Sequence, residues 1–288
     1  MLRGWAYALI IELETHKGLR SDRKPSAQRN RAHDPLRAPV LVARRRGPAV
    51  WLADSLDGLH PAVLFIVVML AGLITIAALS IGLGFLITRV VEPAWGIGAA
   101  DERVNVWLAA HRTPSRTDAS LIGSILAGGV VLPIVAGVIA FTCVVLRRWR
   151  IAAFVVFALA VESATYRATT LVVHSHRPRV ARLESLPVDA SYPSGHTAAS
   201  LAVYCGLVLL LTSRFTHTIF RVVAWTTAVA LVAFVATSRM YRGMHHPLDV
   251  AGGLAVGVAA LIVVVFACRS AGAAAESRAG ARTDGGRA

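Results

Sequence analysis

The sequence has little charge for its length, and this shortage excludes most classes of soluble protein. Only 16% of its 288 residues are Asp, Glu, Lys or Arg, whereas 56% are hydrophobic and the mean hydropathy is +0.61. A water-soluble domain of this size needs more charged residues to cover its surface. The composition therefore indicates a membrane protein.

Cysteine is also scarce. The three cysteines, Cys143, Cys205 and Cys268, each lie within an apolar run. An odd and scattered set of this kind supports neither a disulfide framework nor a cysteine-based metal site.

Acidic residues are fewer than basic ones, and the formal net charge is +14. Such an excess could indicate a nucleic-acid-binding protein, but about half of it lies in the first fifty residues, which include Arg44-Arg45-Arg46 directly before the first hydrophobic block. Basic clusters beside a membrane segment usually stay in the cytoplasm and contact anionic lipid. We therefore expect membrane lipids, and no nucleic acid, as partners.

Six apolar runs are candidates for transmembrane helices, which need roughly 20 residues each. They cover about residues 62–90, 120–146, 151–174, 194–213, 222–237 and 250–267. The sequence therefore predicts an all-α integral membrane bundle of six transmembrane helices. We divide the chain into a basic disordered tail (1–50), a short interfacial helix (51–60), the six-span domain (61–268) and a second disordered tail (269–288).

The basic turns predict the orientation of this bundle. With six spans, both tails, the turn at Arg147-Arg148 and the turn at Arg214 all fall on one side. Basic loops face the cytoplasm in multi-pass membrane proteins. We therefore expect a cell-membrane protein with both termini cytoplasmic and with the loops around 175–193 and 239–247 facing outside.

The stretch 238–249 lies between two apolar runs and holds the strongest chemical signal. It reads Ser238-Arg239, five residues, His245, three residues and Asp249. A carboxylate that holds one imidazole nitrogen fixes the tautomer and leaves the other nitrogen free to attack. Because Asp249 falls in the first turn of the next helix, we expect it to orient His245 in this way.

Two further blocks fall on the same predicted side. Arg177 is followed by Pro178, and Ser194, Gly195 and His196 open the fourth span. Helix starts bind phosphate through free N–H groups and the helix dipole, and arginines match phosphate oxygens. Together with two histidines, these residues provide the anion site, nucleophile and acid that phosphoryl transfer requires.

These three blocks resemble the signature of the type 2 phosphatidic acid phosphatase superfamily of lipid phosphate phosphatases, whose site is similar to that of vanadium haloperoxidases. That signature is Lys-x6-Arg-Pro, then Pro-Ser-Gly-His, then Ser-Arg-x5-His-x3-Asp; the second and third blocks are complete here. The resemblance implies that His245 is the nucleophile that forms a phosphohistidine, that Asp249 orients it and that His196 is the acid. It further implies that Arg177, Ser194, Gly195 and Arg239 hold the phosphate, with no metal and no cofactor.

The sequence departs from the family pattern in the first block. Thr170 stands where the pattern has lysine. Arg167 lies three residues earlier on roughly the same helix face, so we expect its long side chain to reach the phosphate. Since intramembrane charges are costly, we also expect Glu162 and Arg167 each to pair with a group on another helix or to support the site.

Several other ionisable residues could be mistaken for catalytic ones. We interpret four of them as surface charges, namely Asp101, Glu102, His111 and Arg112. We interpret His246 as a residue that lines the site, and His174 and His176 as residues of its rim.

The leading hypothesis is a metal-independent phosphatase that acts on a lipid phosphate or diphosphate at the outer membrane face. A polyprenyl diphosphate, phosphatidate and phosphatidylglycerol phosphate all fit the motifs. Two alternatives are a vanadate-dependent haloperoxidase-like enzyme and a non-catalytic lipid-binding or transport protein.

Overall fold

A computed structural model describes residues 38–94, 96–185 and 190–285 of the chain. Within these ranges the secondary structure consists of helices and their connecting turns, and no strand is present, so the all-α prediction is confirmed. Most of the predicted N-terminal tail lies outside the described residues.

The helices follow one another with short connections. They are α1 (Pro48–Ser55), α2 (Pro61–Leu86, continued by a π-helical turn over Ile87–Val91), α3 (Ile97–Ala110), α4 (Pro114–Leu126), α5 (Val131–Val145), α6 (Trp149–Val172), α7 (Gly195–Arg214), α8 (Thr218–Tyr241) and α9 (Pro247–Gly285). Helix α7 contains a π-helical turn over Leu201–Cys205.

Five of these helices, α2, α6, α7, α8 and α9, are long and apolar enough to cross a membrane. Helices α4 and α5 pass the same test only as a pair, and they are bent by 41° relative to each other. The second span predicted over 120–146 therefore consists of two helices with a break between them. The break falls at residues 127–130, where Gly128 and Gly129 favour a turn over a helix interior.

The α4–α5 pair nevertheless has to cross the bundle. Asn105 of α3 donates a hydrogen bond to the carbonyl of His245. Arg177, just after α6, donates to the carbonyl of the neighbouring residue Met244. Helix α3 and the C-terminal end of α6 therefore lie at the same end of the bundle. The 24 residues of α6 span about 36 Å, which places its start at the opposite end. The chain between α3 and α6 must therefore extend from one end of the bundle to the other. The α4–α5 pair forms a broken span, which brings the number of spans to six.

The outer surface of the bundle is apolar. On α2, for example, Ile66, Leu70 and Ile74 are each more than half exposed. Exposed apolar patches of this extent are rare on soluble monomers and match a hydrocarbon environment. The protein is therefore a multi-pass membrane protein.

The C-terminal region is more ordered than predicted. Helix α9 continues through residues 269–285, so the prediction of a disordered tail is wrong as far as Gly285. This stretch is rich in alanine, the best helix former, and Ala273 and Ala274 are buried in the core. Arg278 also donates a hydrogen bond to the carbonyl of Gly58 at 3.1 Å, which ties the helix to the segment after α1.

The segment before the first span also differs from the prediction. Helix α1 begins at Pro48, inside the predicted tail, and Leu41 before it is buried, so disorder is wrong for residues 38–50. Ala49 and Ala53 face the core, whereas Trp51 is 69% exposed. An outward Trp suits a helix at a membrane interface, which remains a prediction.

Candidate active site

Two connecting segments and one helix meet at one end of the bundle. The segment between α6 and α7, the turn between α8 and α9, and helix α3 contact one another there. A Cβ atom at Gly253 of α9 would lie 2.4 Å from the carbonyl oxygen of Ser194, so only glycine allows α9 to pack this closely against the start of α7. The approach brings His196 and His245 to one site.

His245 is buried and held in one tautomer. Its Nδ1 lies 2.8 Å from the carbonyl oxygen of Ser191, which can only accept, so Nδ1 carries the proton and Nε2 keeps its lone pair. Burial, followed by the charges of Arg239 and Arg177 and the proximity of His196, lowers the pKa of His245 well below its ordinary value. The imidazole is therefore neutral, as a nucleophile requires.

Asp249 holds His245 through Ser191 rather than directly. The distance from Asp249 Oδ2 to His245 Nδ1 is 4.0 Å, which is too long for a hydrogen bond and corrects the direct contact expected from the spacing. The Ser191 hydroxyl instead donates to Asp249 Oδ2 at 2.5 Å, while the Ser191 carbonyl accepts from the imidazole. Asp249 Oδ2 also accepts the main-chain N–H of His246 at 2.7 Å.

Arg239 places a permanent positive charge at the centre of the site. Its side chain is fully buried, and its Nη1 donates to the hydroxyl of Ser124 and, at 2.6 Å, to the carboxylate of Glu184. Its Nε and Nη2 groups have no hydrogen-bond partner among the described residues. Buried donors without a partner are costly, and two such nitrogens form the edge with which a guanidinium can contact two oxygens of one anion.

Glu184 clamps Arg239 and a second arginine. Its other carboxylate oxygen accepts from Arg242 Nε at 2.5 Å. Burial alone would raise the pKa of the Glu184 carboxyl, but the charge of Arg239, hydrogen bonds from Arg239 and Ser124, and the charge of Arg242 lower this pKa to about 2. The carboxylate is therefore ionised and fixes the Arg239 guanidinium by one nitrogen.

Arg177 approaches the same site from the segment after α6. It is buried, and it donates to the carbonyls of Met244 and Ala190 at 2.5 and 3.0 Å. Burial, together with the nearby charge of Arg239, lowers the pKa of Arg177 although Tyr166 and Asp249 oppose the shift. Arg177 thus ties the segment between α6 and α7 to the turn that carries His245 and brings a second guanidinium near the first.

The start of α7 has the predicted position but a different cap. Ser194 occupies the N-cap position, yet its hydroxyl bonds the hydroxyl of Thr197 at 2.9 Å and no free N–H. A Cβ atom at Gly195 would lie 3.0 Å from the Tyr166 ring, so Tyr166 covers this turn. His196 follows, half-buried and within electrostatic range of Arg239 and Arg177.

Arg167 makes no hydrogen bond or ion pair with any of the site residues that the structure describes. Its side chain is exposed on α6, and Thr170, at the position of the family lysine, bonds only the Arg167 carbonyl at 3.1 Å. Glu162 is buried and accepts a hydrogen bond from its neighbour Ser163 at 3.1 Å. The expectation that Glu162 and Arg167 pair with groups on other helices is therefore wrong for the described part of the chain.

Helix α3 contributes more than the surface charge we expected. Asp101 is buried and accepts the main-chain N–H of Leu248 at 3.3 Å, while Glu102 accepts from the main-chain N–H of Arg179 at 2.9 Å. Arg112 donates to the carbonyl of Tyr241 at 2.8 Å. The interpretation of Asp101, Glu102 and Arg112 as surface charges is wrong, because all three support the turns around the site.

His246 lines the site, as predicted, and bridges two carboxylates. Its Nε2 lies 3.1 Å from Glu102 and its Nδ1 lies 3.4 Å from Asp249. Burial would lower the pKa of His246, but the hydrogen bonds and charges of Asp249 and Glu102, with the charge of Asp101, raise this pKa to about 9. His246 is therefore an imidazolium at neutral pH.

Sequence reasoning missed Ser191, Glu184 and Asn105. Ser191 and Asp249 are 58 positions apart, and Asn105 and His245 are 140 apart. No spacing rule connects such positions. Glu184 gave a weak signal, since it is an acidic residue in a loop with several arginines.

The comparisons with known proteins match the part of the chain that carries the predicted site residues. A family model described as the PAP2 superfamily matches residues 151–271. This range contains every residue of the predicted site, and it ends within α9.

Two curated proteins are similar over part of the chain. The bacitracin transport permease protein BcrC of Bacillus licheniformis is 31% identical over 89 residues, which are 31% of this chain and 39% of that protein. An undecaprenyl-diphosphatase of Sulfolobus acidocaldarius is 42% identical over 76 residues, which are 26% of this chain and 32% of that protein. The chain thus matches less than half the length of either relative.

A crystal structure shares the fold. The transmembrane PAP2-type phosphatidylglycerolphosphate phosphatase of Bacillus subtilis superposes with a TM-score of 0.57 and 21% identity, and the match covers 65% of this chain and 92% of that one. At this level of identity the likeness concerns the fold alone.

Proposed function

We propose that the chain belongs to the PAP2 superfamily, whose family model matches residues 151–271, and that the protein hydrolyses a lipid phosphate or diphosphate through a phosphohistidine intermediate. The observation that carries this proposal is the edge of Arg239. The buried Nε and Nη2 groups of this permanent cation have no hydrogen-bond partner in the described part of the chain. They lie within electrostatic range of His245, a neutral histidine with a free Nε2. A phosphoryl group satisfies both the donors and the nucleophile.

The arginines supply the charge that phosphoryl transfer needs. Arg239 offers Nε and Nη2 to two phosphate oxygens, and Arg177 brings a second guanidinium near them. Donors fixed before the reaction stabilise the charge of the transition state without reorganisation. In this proposal no metal ion takes part, because the two guanidinium groups neutralise the phosphate.

The chemistry follows from the tautomer of His245. Its Nε2 attacks the terminal phosphorus, and the bond between that phosphorus and the oxygen of the leaving group breaks. This oxygen belongs to the lipid alcohol in a monophosphate and to the inner phosphate in a diphosphate. His196 donates its proton to that oxygen and then takes a proton from the water that attacks the phosphohistidine. This second attack releases inorganic phosphate and restores both imidazoles. The Ser191 carbonyl stabilises the Nδ1 proton throughout.

We place this reaction at the outer face of the membrane. The turn around Arg147-Arg148 and the turn after Arg214 lie at the end of the bundle away from the site. Basic turns face the cytoplasm, so the site faces outside and both termini face the cytoplasm.

Phosphate release by the purified protein in detergent tests the proposal. We expect release from a lipid phosphate or diphosphate in the presence of EDTA, and total loss of turnover in His245→Ala, because that change removes the covalent route. His196→Ala should be slower by roughly 10²–10⁴-fold, the usual scale for general acid–base assistance. Rapid quenching with labelled substrate should trap an acid-labile phosphohistidine in the wild type. Full activity in His245→Ala would refute this mechanism.

A further inference from the structure

We propose that a second anion subsite lies beside the catalytic residues and binds a second phosphate of the substrate, so that the enzyme prefers lipids with two phosphates to lipids with one. The inference rests on the proposed function and specifies its substrate class. It concerns a cavity of about 750 Å³ that opens between the end of α2, helix α3 and residues 174–179.

The cavity is continuous with the catalytic site. Arg177 and His246 line it. Arg177 holds the turn before His245 through the Met244 carbonyl, and His246 contacts Asp249. A group bound in the cavity therefore lies next to the residues that position the nucleophile. We call this cavity the outer cavity.

Three arginines in the wall of the outer cavity are available to a ligand. Arg89, Arg103 and Arg179 are exposed, and their guanidinium groups make no hydrogen bond or ion pair with any residue that the structure describes. His174 and His176 lie at the same opening and are also exposed. Free guanidinium groups around a concave site attract phosphate.

Two of the three carboxylates in the same wall, Asp101 and Glu102, already serve other groups. Asp101 accepts the N–H of Leu248, and Glu102 accepts the N–H of Arg179 and contacts His246. Burial is the main cause that raises the pKa of Asp101 to about 6 and also raises the pKa of Glu92. Asp101 and Glu102 therefore organise the wall, and the arginines remain available to bind the ligand.

The position of the outer cavity indicates which phosphate it binds. The scissile phosphate occupies the edge of Arg239, so a ligand group held by Arg89, Arg103 or Arg179 in the cavity belongs to the part of the substrate that leaves. A directly linked diphosphate and a glycerol-linked pair of phosphates both carry a second anion there, whereas phosphatidate does not. The shared chemistry is a phosphate next to the scissile one.

The test compares three substrates in the same detergent micelles: a polyprenyl diphosphate, phosphatidylglycerol phosphate and phosphatidate. In the double variant Arg89→Gln/Arg103→Gln, the ratio of kcat/KM for a two-phosphate lipid to that for phosphatidate should fall about 10-fold, the scale of one lost charge-assisted contact. Arg214→Gln, an exposed change at the opposite end of the bundle, is the matched control and should leave the ratio as in the wild type.

The two phosphate arrangements are separate arms of the test. A fall in the ratio for the polyprenyl diphosphate alone would assign the subsite to a directly linked phosphate, and a fall for phosphatidylglycerol phosphate alone would assign it to a glycerol-linked one. An unchanged ratio in both arms would overturn the subsite.

A binding measurement separates this inference from the proposed function. By calorimetry, the wild type should bind inorganic pyrophosphate about 10-fold more tightly than inorganic phosphate, and the double variant should lose that preference. If the wild type and the double variant showed the same preference for pyrophosphate over phosphate, the subsite would be overturned even if no lipid were hydrolysed. Conversely, a wild type that is inactive on all three lipids but keeps the preference would overturn the proposed function alone.

Discussion

Removal of the Ser191 hydroxyl tests whether Asp249 acts on the nucleophile through Ser191. In Ser191→Ala the main-chain carbonyl that accepts from His245 remains, and only the 2.5 Å hydrogen bond from the hydroxyl to Asp249 is lost. Ser191 is fully buried, so water does not readily replace the missing donor. The change therefore isolates one link between the carboxylate and the imidazole.

The size of the effect follows from the type of hydrogen bond. A hydrogen bond to a charged group contributes about 1.5–3 kcal/mol, and a buried acceptor that loses its donor costs a similar amount. We expect kcat to fall by roughly 10- to 100-fold, since about 1.4 kcal/mol corresponds to a factor of ten. KM should change little, because the phosphate contacts of Arg239 and Arg177 are retained.

A double-mutant cycle distinguishes the two ways in which Asp249 could act. If Asp249 works through Ser191, the variant Ser191→Ala/Asp249→Ala should be about as slow as Asp249→Ala alone. Phosphate release gives the rates, and thermal denaturation shows whether each variant is folded. Ser270→Ala, which removes another buried serine hydroxyl at the opposite end of the bundle, is the control. The reasoning would be refuted if the double variant were slowed by the product of the two single-variant factors. A Ser191→Ala variant within twofold of the wild-type rate would refute it as well.

Three further predictions concern pH, Arg167 and orientation. The pKa of His246 is raised to about 9, so its ion pairs stabilise the fold fully below its ordinary pKa near 6.5, and this stabilisation is lost as the pH rises through about 9. The Tm of the wild type should therefore fall by several degrees between pH 7 and pH 10, relative to His246→Gln, and a parallel pH profile in the variant would contradict this. Arg167→Ala should leave kcat/KM within about twofold, because the side chain is exposed on α6; a loss of tenfold or more would show that it reaches the phosphate. In a cysteine-free background, a membrane-impermeant thiol reagent on intact cells should label a cysteine introduced at Ser185 but not one at Thr216, and the reverse pattern would overturn the outward site.

The sequence predicted the helices of the bundle because their hydrophobic runs are long. The ends of the helices were less predictable. Helix α9 extends past Ala267 because alanine-rich segments are helical even without strong hydrophobicity, and because α1 offers a surface to pack against. The break between α4 and α5 is marked by Gly128 and Gly129, yet glycine pairs also occur within continuous spans. Local composition could not decide between these outcomes.

In the site, sequence spacing worked within a segment and failed between segments. His245 and Asp249 are four positions apart, and this spacing predicted a hydrogen bond between them. In the structure the Asp249 carboxylate instead accepts from the Ser191 hydroxyl. Arg167 lies on roughly the helix face expected from Thr170, but its side chain is exposed and makes no hydrogen bond or ion pair with the described residues of the site. Contacts between distant segments decide such details.

The carboxylate of Asp249 joins the start of a helix to the position of the nucleophile. Asp249 is the third residue of α9, and its acceptance of the His246 N–H is the reciprocal half of a capping box. The same oxygen accepts from Ser191, whose carbonyl holds His245. The position of the nucleophile therefore depends on the position of the start of α9. Helix α9 is itself fixed because it packs along α2 and α6. Loss of the Asp249 carboxylate should therefore lower stability as well as kcat, whereas Ser191→Ala, which keeps the cap, should lower kcat more than stability.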